Sequence, residues 1–213
     1  MDKHILTQRI NPMRKLLLTT AAVAAAIAGA VAGEPSFGTF TDTRDGQTYK
    51  TVKIGKQTWM ARNINYQTES GSWCYKDSVS YCKQYGRLYD WKTAATVCPK
   101  GWKLPDTADW NRLVATVGGE EIAGKKLKSK SGWNENGNGT NDYGFSALPG
   151  GLRNSDGNFY NAGLYGYWWT ATEYRSGYAC GGWDMSYGDD NVHGFYDYDD
   201  DKSYGYSVRC VQD

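Results

Sequence analysis

The sequence predicts an α+β domain on three observations. A period-2 hairpin opens the structured part, helical periodicity follows it, and short aromatic segments broken by Gly, Asn and Asp close the chain. The hairpin spans Tyr49–Met60, where Tyr49, Thr51 and Lys53 alternate with Lys50, Val52 and Ile54, and Gly55 with Lys56 offers a turn. Two main helices come next. The first is expected over Tyr85–Cys98, with Leu88, Trp91 and Ala95 on one face and Pro99 as its stop. The second is capped by Asp106 or Thr107, carries Trp110, Leu113, Val114 and Val117 at i, i+3, i+4 and i+7, and ends at Gly118 and Gly119. A short helical turn covers Glu120–Lys128. Ser131–Asp142 reads as a Gly/Asn-rich loop, and small strands joined by long loops follow from Tyr143.

The 213 residues suffice for one domain with its own core plus a leader. Arg14 and Lys15 precede the uncharged, apolar stretch Leu16–Val31, and Ala30–Ala32 forms a small-residue cleavage site. Residues 1–32 are therefore expected to be a signal peptide, with Met13 as an alternative start. A retained anchor helix is the competing reading, but the apolar run is short for a membrane span. No cysteine follows it, so a lipid anchor is not indicated. Gly33–Phe40 is expected as a linker and residues 41–213 as a single domain, secreted or held at the cell surface of a bacterium.

The net charge is +1, but residues 1–32 hold four of the 24 basic residues and one of the 23 acidic ones, so the remainder carries −2. That excludes the basic footprint a nucleic acid needs. In an oxidising compartment Cys74, Cys82, Cys98, Cys180 and Cys210 should pair, and their odd number leaves one out. There is no CxxC, and His193 is the only histidine beyond the leader, so the spacing does not fit zinc. No metal or cofactor is expected.

Six strings in fixed order carry a family resemblance: Thr51–Met60 (TVKIGKQTWM), Tyr85–Trp91 (YGRLYDW), Val97–Pro105 (VCPKGWKLP), Asn141–Gly151 (NDYGFSALPGG), Tyr167–Glu173 (YWWTATE) and Ser207–Val211 (SVRCV). Together they resemble the Fibrobacter succinogenes major paralogous domain family over nearly all of residues 41–213. Arg62 stands where an acidic residue is usual and Lys103 where His is usual. The resemblance implies a C-type-lectin-like fold, similar also to formylglycine-generating enzymes, stapled by disulfides. It implies a bridge between Cys98 and Cys210, leaving Cys74 to pair with Cys82 and Cys180 over. Fold is implied more firmly than function.

No catalytic constellation stands out. His193 lacks a nucleophile elbow nearby. Asp189–Asp190 and Asp199–Asp201 read as solvated turns rather than as a glycosidase pair. A formylglycine-type oxidase needs two neighbouring reactive cysteines, and Cys180 has no sequence neighbour. Asn134–Gly139 imitates the start of a calcium loop, but Phe145 falls where the bidentate Glu belongs. The chain is therefore not expected to be an enzyme.

What stands out is composition. Tyr165–Tyr206 holds nine of the 17 tyrosines, seven Asp and seven Gly, with one Lys and one Glu. Tyr gives large contacts with few rotors, while Ser, Gly and Asn adapt, as in antibody loops. The expected ligand-binding residues are Tyr174, Tyr178, Trp183, Asp184, Tyr187, His193, Phe195, Tyr196, Tyr198 and Tyr204. Between Tyr174 and Tyr204 seven Asp face only Arg175 and Lys202, a net of −5 that suits a cationic or polyhydroxylated partner, protein or glycan. Among the tryptophans, Trp91, Trp102 and Trp110 are expected in the core. One of Trp168 and Trp169 should face out, and Trp183 is the candidate stacking platform. Most of these residue types can be reached from an Asn codon by changing adenines, which fits a target of a diversity-generating retroelement. The rival readings are a carbohydrate-adhesion module, an enzyme of the formylglycine-generating type and a structural surface-layer or filament subunit.

Overall fold

A computed structural model describes residues 35–174, 179–196 and 202–212, apart from the side chains of Tyr174, Ala179, Cys180 and Tyr196. The expected signal peptide lies outside the described residues. The elements in order are β1 (Ser36–Thr41), β2 (Thr48–Ile54), β3 (Gln57–Met60), β4 (Ser72–Trp73), α1 (Val79–Tyr85), β5 (Leu88–Tyr89), α2 (Trp91–Val97), β6 (Trp102–Lys103), α3 (Thr107–Val117) and α4 (Glu120–Leu127). They continue with β7 (Leu152–Arg153), β8 (Phe159–Tyr160), β9 (Tyr165–Tyr174), β10 (Ala179–Ser186), β11 (His193–Tyr196), β12 (Tyr206–Ser207) and β13 (Val211–Gln212). The domain is α+β. Among the described residues a five-stranded sheet runs β1-β2-β3-β13-β6, a six-stranded sheet runs β11-β10-β9-β12-β5-β4, and β7 pairs with β8.

The hairpin forms as expected, Thr51 pairing with Met60 and Ile54 with Gln57. The linker is corrected: Ser36–Thr41 is a strand, held antiparallel to β2. The first helix is corrected too: instead of one helix over Tyr85–Cys98, α1 stops at Tyr85, β5 follows and α2 begins at Trp91, while the helical turn expected over Glu120–Lys128 is present as α4. Gly86, at φ +81°, ends α1. A Cβ there would meet the Ile64 carbonyl at 2.7 Å, so the chain turns where only glycine fits. Leu88 then pairs as β5 with Ser207 instead of joining a helix. Asp90 restarts the helix, its carboxylate accepting from the Thr93 N–H at 2.7 Å.

The second main helix matches its sequence signature. Asp106 and Asp109 form a reciprocal capping box at 2.7 and 3.1 Å, Gly118 closes the other end at φ +117°, and Trp110, Leu113, Val114 and Val117 are buried. Desolvation raises the Asp109 pKa, but Lys103, the Asp106 N–H and Arg112 outweigh it and hold the carboxyl below its usual value.

Two apolar clusters fill the domain. One gathers Trp59, Trp110, Trp133, Phe145, Trp168, Trp183 and Met185. The other gathers Tyr89, Trp102, Trp169, Tyr206, Val208 and Cys210. Trp168 and Trp169 point oppositely, as strand neighbours must, yet both are buried. The expectation of one exposed ring fails because the sheet is covered on both faces there. Their indole N–H groups donate to Asn63 Oδ1 at 2.9 Å and to the Tyr89 carbonyl at 2.6 Å.

Arg209 sits fully buried where the two clusters meet the loops. Its guanidinium donates to Asn63 Oδ1 at 2.8 and 3.0 Å, and to the carbonyls of Phe145, Met60 and Ser146 at 2.5, 3.2 and 3.3 Å. Burial pushes its pKa down, to about 9, which leaves it charged at neutral pH. Two disulfides close the frame. Cys98, just past α2, joins Cys210 beside β13 with Cα atoms 5.9 Å apart, and Cys74 joins Cys82 in α1.

Candidate functional site

The site is built on β9, β10, β11 and β12 of the six-stranded sheet. Strand parity decides which side chains share its outward face. Trp183 and Met185 point into the first cluster, so Gly182 and Asp184 point the other way. Register then adds their neighbours. Tyr167, Asp184 and His193 form one row across β9, β10 and β11, and Trp169, Gly182 and Phe195 form the next.

The rings on this face touch in series. Tyr165 stacks on Tyr167 at 5.6 Å and Tyr167 on Tyr206 at 5.5 Å. Phe195 meets Tyr167 and Tyr206 edge-on at 6.1 and 5.7 Å, and Tyr204 lies 6.0 Å from Tyr206. Trp169 and Tyr206 are buried and form the floor, while Tyr165, Tyr167, Phe195 and Tyr204 are half-buried. Phe195 can lie flat because Gly182 is beneath it: a Cβ on Gly182 would meet the ring at 2.3 Å. Asn161 donates to the Tyr167 hydroxyl at 3.1 Å. Burial pushes that hydroxyl up to about 12, against the lowering effect of the hydrogen bond.

Asp184 stands among these rings. It is half-buried, and among the described residues no hydrogen bond or ion pair reaches its carboxylate. His193 turns Nε2 to Asp189 instead, at 3.8 Å. Burial pushes the Asp184 carboxyl up to about 6, with His193 opposing and Asp189 adding to the rise. A carboxyl raised this way adds stability below its ordinary value of 3.8 and loses that contribution as pH climbs through 6. Asp184→Asn is expected to match the wild type at pH 4. At pH 7.5 it should exceed it by about 1–2 kcal/mol, after discounting for partial exposure. Urea unfolding at both pH values checks this; an equal or lower midpoint at pH 7.5 sinks it.

The loop beside the face is pinned from below. The buried ammonium of Lys128 donates to the carbonyls of Ser186 at 2.9 Å and Asp189 at 2.7 Å, and lies 5.2 Å from the Trp133 ring centre. Gly124 in α4 lets the loop approach, since a Cβ there would meet the Asn191 carbonyl at 2.2 Å.

The ten sequence-predicted residues fare differently. Asp184, His193 and Phe195 come together on the outward face, with Tyr204 joined through Tyr206. Tyr187 is half-buried on the adjoining loop, against the first cluster. Trp183 is corrected: it is 3 % exposed and stacked on Trp110 at 5.6 Å, so it is core and not a platform. Tyr178 and Tyr198, and the side chains of Tyr174 and Tyr196, lie outside the described residues. The residues missed are Tyr165, Tyr167 and Tyr206. The alternation Tyr165, Tyr167, Trp169 was the available signal, a single strand face written in aromatics.

The geometry stands beside a direct comparison. The profile of the Fibrobacter succinogenes major domain matches residues 52–212, three quarters of the chain. The protein belongs to the Fibrobacter succinogenes major domain family. No curated protein and no solved structure matches it significantly. The matched region of this Fibrobacter succinogenes major domain spans β9–β12 and both disulfides. No helix of the described residues is long and apolar enough to cross a membrane.

Proposed function

We propose that this is an exported binding protein, secreted or displayed at a bacterial surface, that holds a partner on the outward face of β9–β12 and performs no catalysis. The observation that carries the reading is a continuous, half-buried aromatic series with an unpaired carboxylate inside it. Such faces supply large contact area at low conformational cost. Segments 175–178 and 197–201, which bring further Tyr and Asp, join the same strands in sequence. A C-type-lectin-like scaffold is the frame we propose for it. The bridge from the end of α2 to the last strand supports that assignment, and so does the α+β order of elements.

Selection from a random-peptide display and from a glycan array tests the face. Phe195→Ala is expected to weaken the selected ligands at least about tenfold, while Lys53→Ala on the other large sheet changes nothing. Equal binding by both variants would end the proposal. Strong selection of polysaccharide over peptide would favour the carbohydrate-adhesion reading. The adenine-reachable composition between Tyr174 and Tyr204 supports a diversified segment. A near-copy of that DNA differing only at adenines, beside a reverse-transcriptase gene, is the expected finding, and its absence removes that part.

A further inference from the structure

We propose that Asp184, with Tyr167 and Phe195 beside it, is the anchor for a cationic side chain of the partner, an arginine guanidinium or lysine ammonium. This rests on the binding-face reading above and specifies the chemistry of what binds there.

Three observations converge. The Asp184 carboxylate is half-buried, yet among the described residues nothing donates to it. Buried polar groups normally find partners, and a desolvated anion without one weakens the fold that carries it. The groups facing it from the packed elements are the Tyr167 hydroxyl on β9, His193 on β11 and Asp189 on the loop. The hydroxyl is held protonated well above neutral pH, and His193 is drawn to Asp189. None of them donates a hydrogen bond to the carboxylate, and only His193 opposes its charge, from a distance.

The rings around the carboxylate form the second observation. The rings of Tyr167 and Phe195 meet edge-on at 6.1 Å on this face. Aromatic faces attract guanidinium and ammonium groups, most strongly where water is partly excluded. The domain uses this contact repeatedly: Arg153 lies 4.2 Å from the ring centre of Trp73, and Lys202 lies 4.5 Å from that of Trp91. Third, the described charge beside the carboxylate on the adjoining loop is another acid, Asp189, so the site is negative beyond Asp184 itself and draws cations. A sugar would gain from the rings but would leave the carboxylate's charge unneutralised.

The test uses the whole exported domain and two probes of one shape, Nα-acetyl-arginine methylamide and the neutral Nα-acetyl-citrulline methylamide. Carboxyl-carbon NMR follows the Asp184 titration, and ring-proton shifts follow Tyr167 and Phe195. The arginine probe is expected to bind at least about tenfold more tightly than citrulline and to move the Asp184 titration to lower pH. Asp184→Asn should erase the difference between the probes, with the ring-proton shifts of the free protein unchanged as evidence that the face still folds. Equal binding of both probes, or an arginine effect that persists in Asp184→Asn, overturns the cation anchor. Binding seen only in Arg175→Gln also overturns it, since the chain's own guanidinium would then be the counter-ion. Failure here leaves the face itself standing if the peptide or glycan ligands selected above still depend on Phe195. Loss of that dependence is the separate failure of the face.

Discussion

Arg209→Met is expected to cost the fold about 3–5 kcal/mol, enough to unfold a domain of ordinary stability. The guanidinium is fully buried and, among the described residues, has no carboxylate partner; Asn63 Oδ1 and three backbone carbonyls there share five hydrogen bonds from it. Methionine fills much of the volume but leaves those acceptors dry, and each unsatisfied acceptor costs roughly 1–3 kcal/mol. Asn63 also accepts from Trp168 and donates to the Tyr85 carbonyl and Ser207, so the loss spreads to the six-stranded sheet and α1. Urea unfolding with the disulfides intact measures the effect. Arg209→Lys should lie between wild type and Met, because an ammonium keeps the charge but cannot span the same acceptors. A Met variant within about 1 kcal/mol of wild type would show that the acceptors find other donors.

Removing the Cys98–Cys210 bridge by paired alanines is expected to cost about 4–5 kcal/mol on the chain-entropy account, for a separation of 112 residues. The Cys74–Cys82 bridge spans only 8 residues and should cost roughly half as much. The ordering of the two losses is the useful readout, since both bridges lie in one domain and unfold together. Equal losses would mean that strain or unfolded-state structure outweighs loop length. Cys98→Ala and Cys210→Ala should also loosen β13, which lies between β3 and β6 in the five-stranded sheet. Faster amide exchange at Trp59 and Lys103, its pairing partners, is the expected signature.

The parts of this fold that were legible in the sequence are those decided locally. In α3 the capping residues, the apolar spacing and the terminal glycines lie within 14 residues of one another, so nothing distant could overrule them. The hairpin of β2 and β3 is equally local. The stretch Tyr85–Cys98 was misread because its outcome depends on partners far along the chain. Leu88 and Tyr89 pair with Ser207 and Tyr206, and that pairing needs the turn at Gly86. Helical spacing of Leu88, Trp91 and Ala95 was real but lost to a tertiary contact.

The candidate site was half legible for a similar reason. Composition marked the segment, and Asp184, His193 and Phe195 fall on the outward face. Composition does not assign faces: it offers Trp183 as a platform, although its phase with Met185 points it inward. Which face is covered depends on α3, whose Trp110 stacks on Trp183. Tyr167 and Tyr206 lie in or beside the strings that carry the family resemblance. In the structure framework and face are the same strands.

The lysine beneath the face has a bearing on where such a protein could work. Lys128 supplies the Ser186–Asp189 stretch with a positive charge that is covalently its own, so those carbonyls are served without any dissolved mineral. Chelators, scarce calcium or competing hard cations give this anchorage nothing to remove. A loop tethered in that way is expected to keep its shape across media whose ionic make-up differs widely.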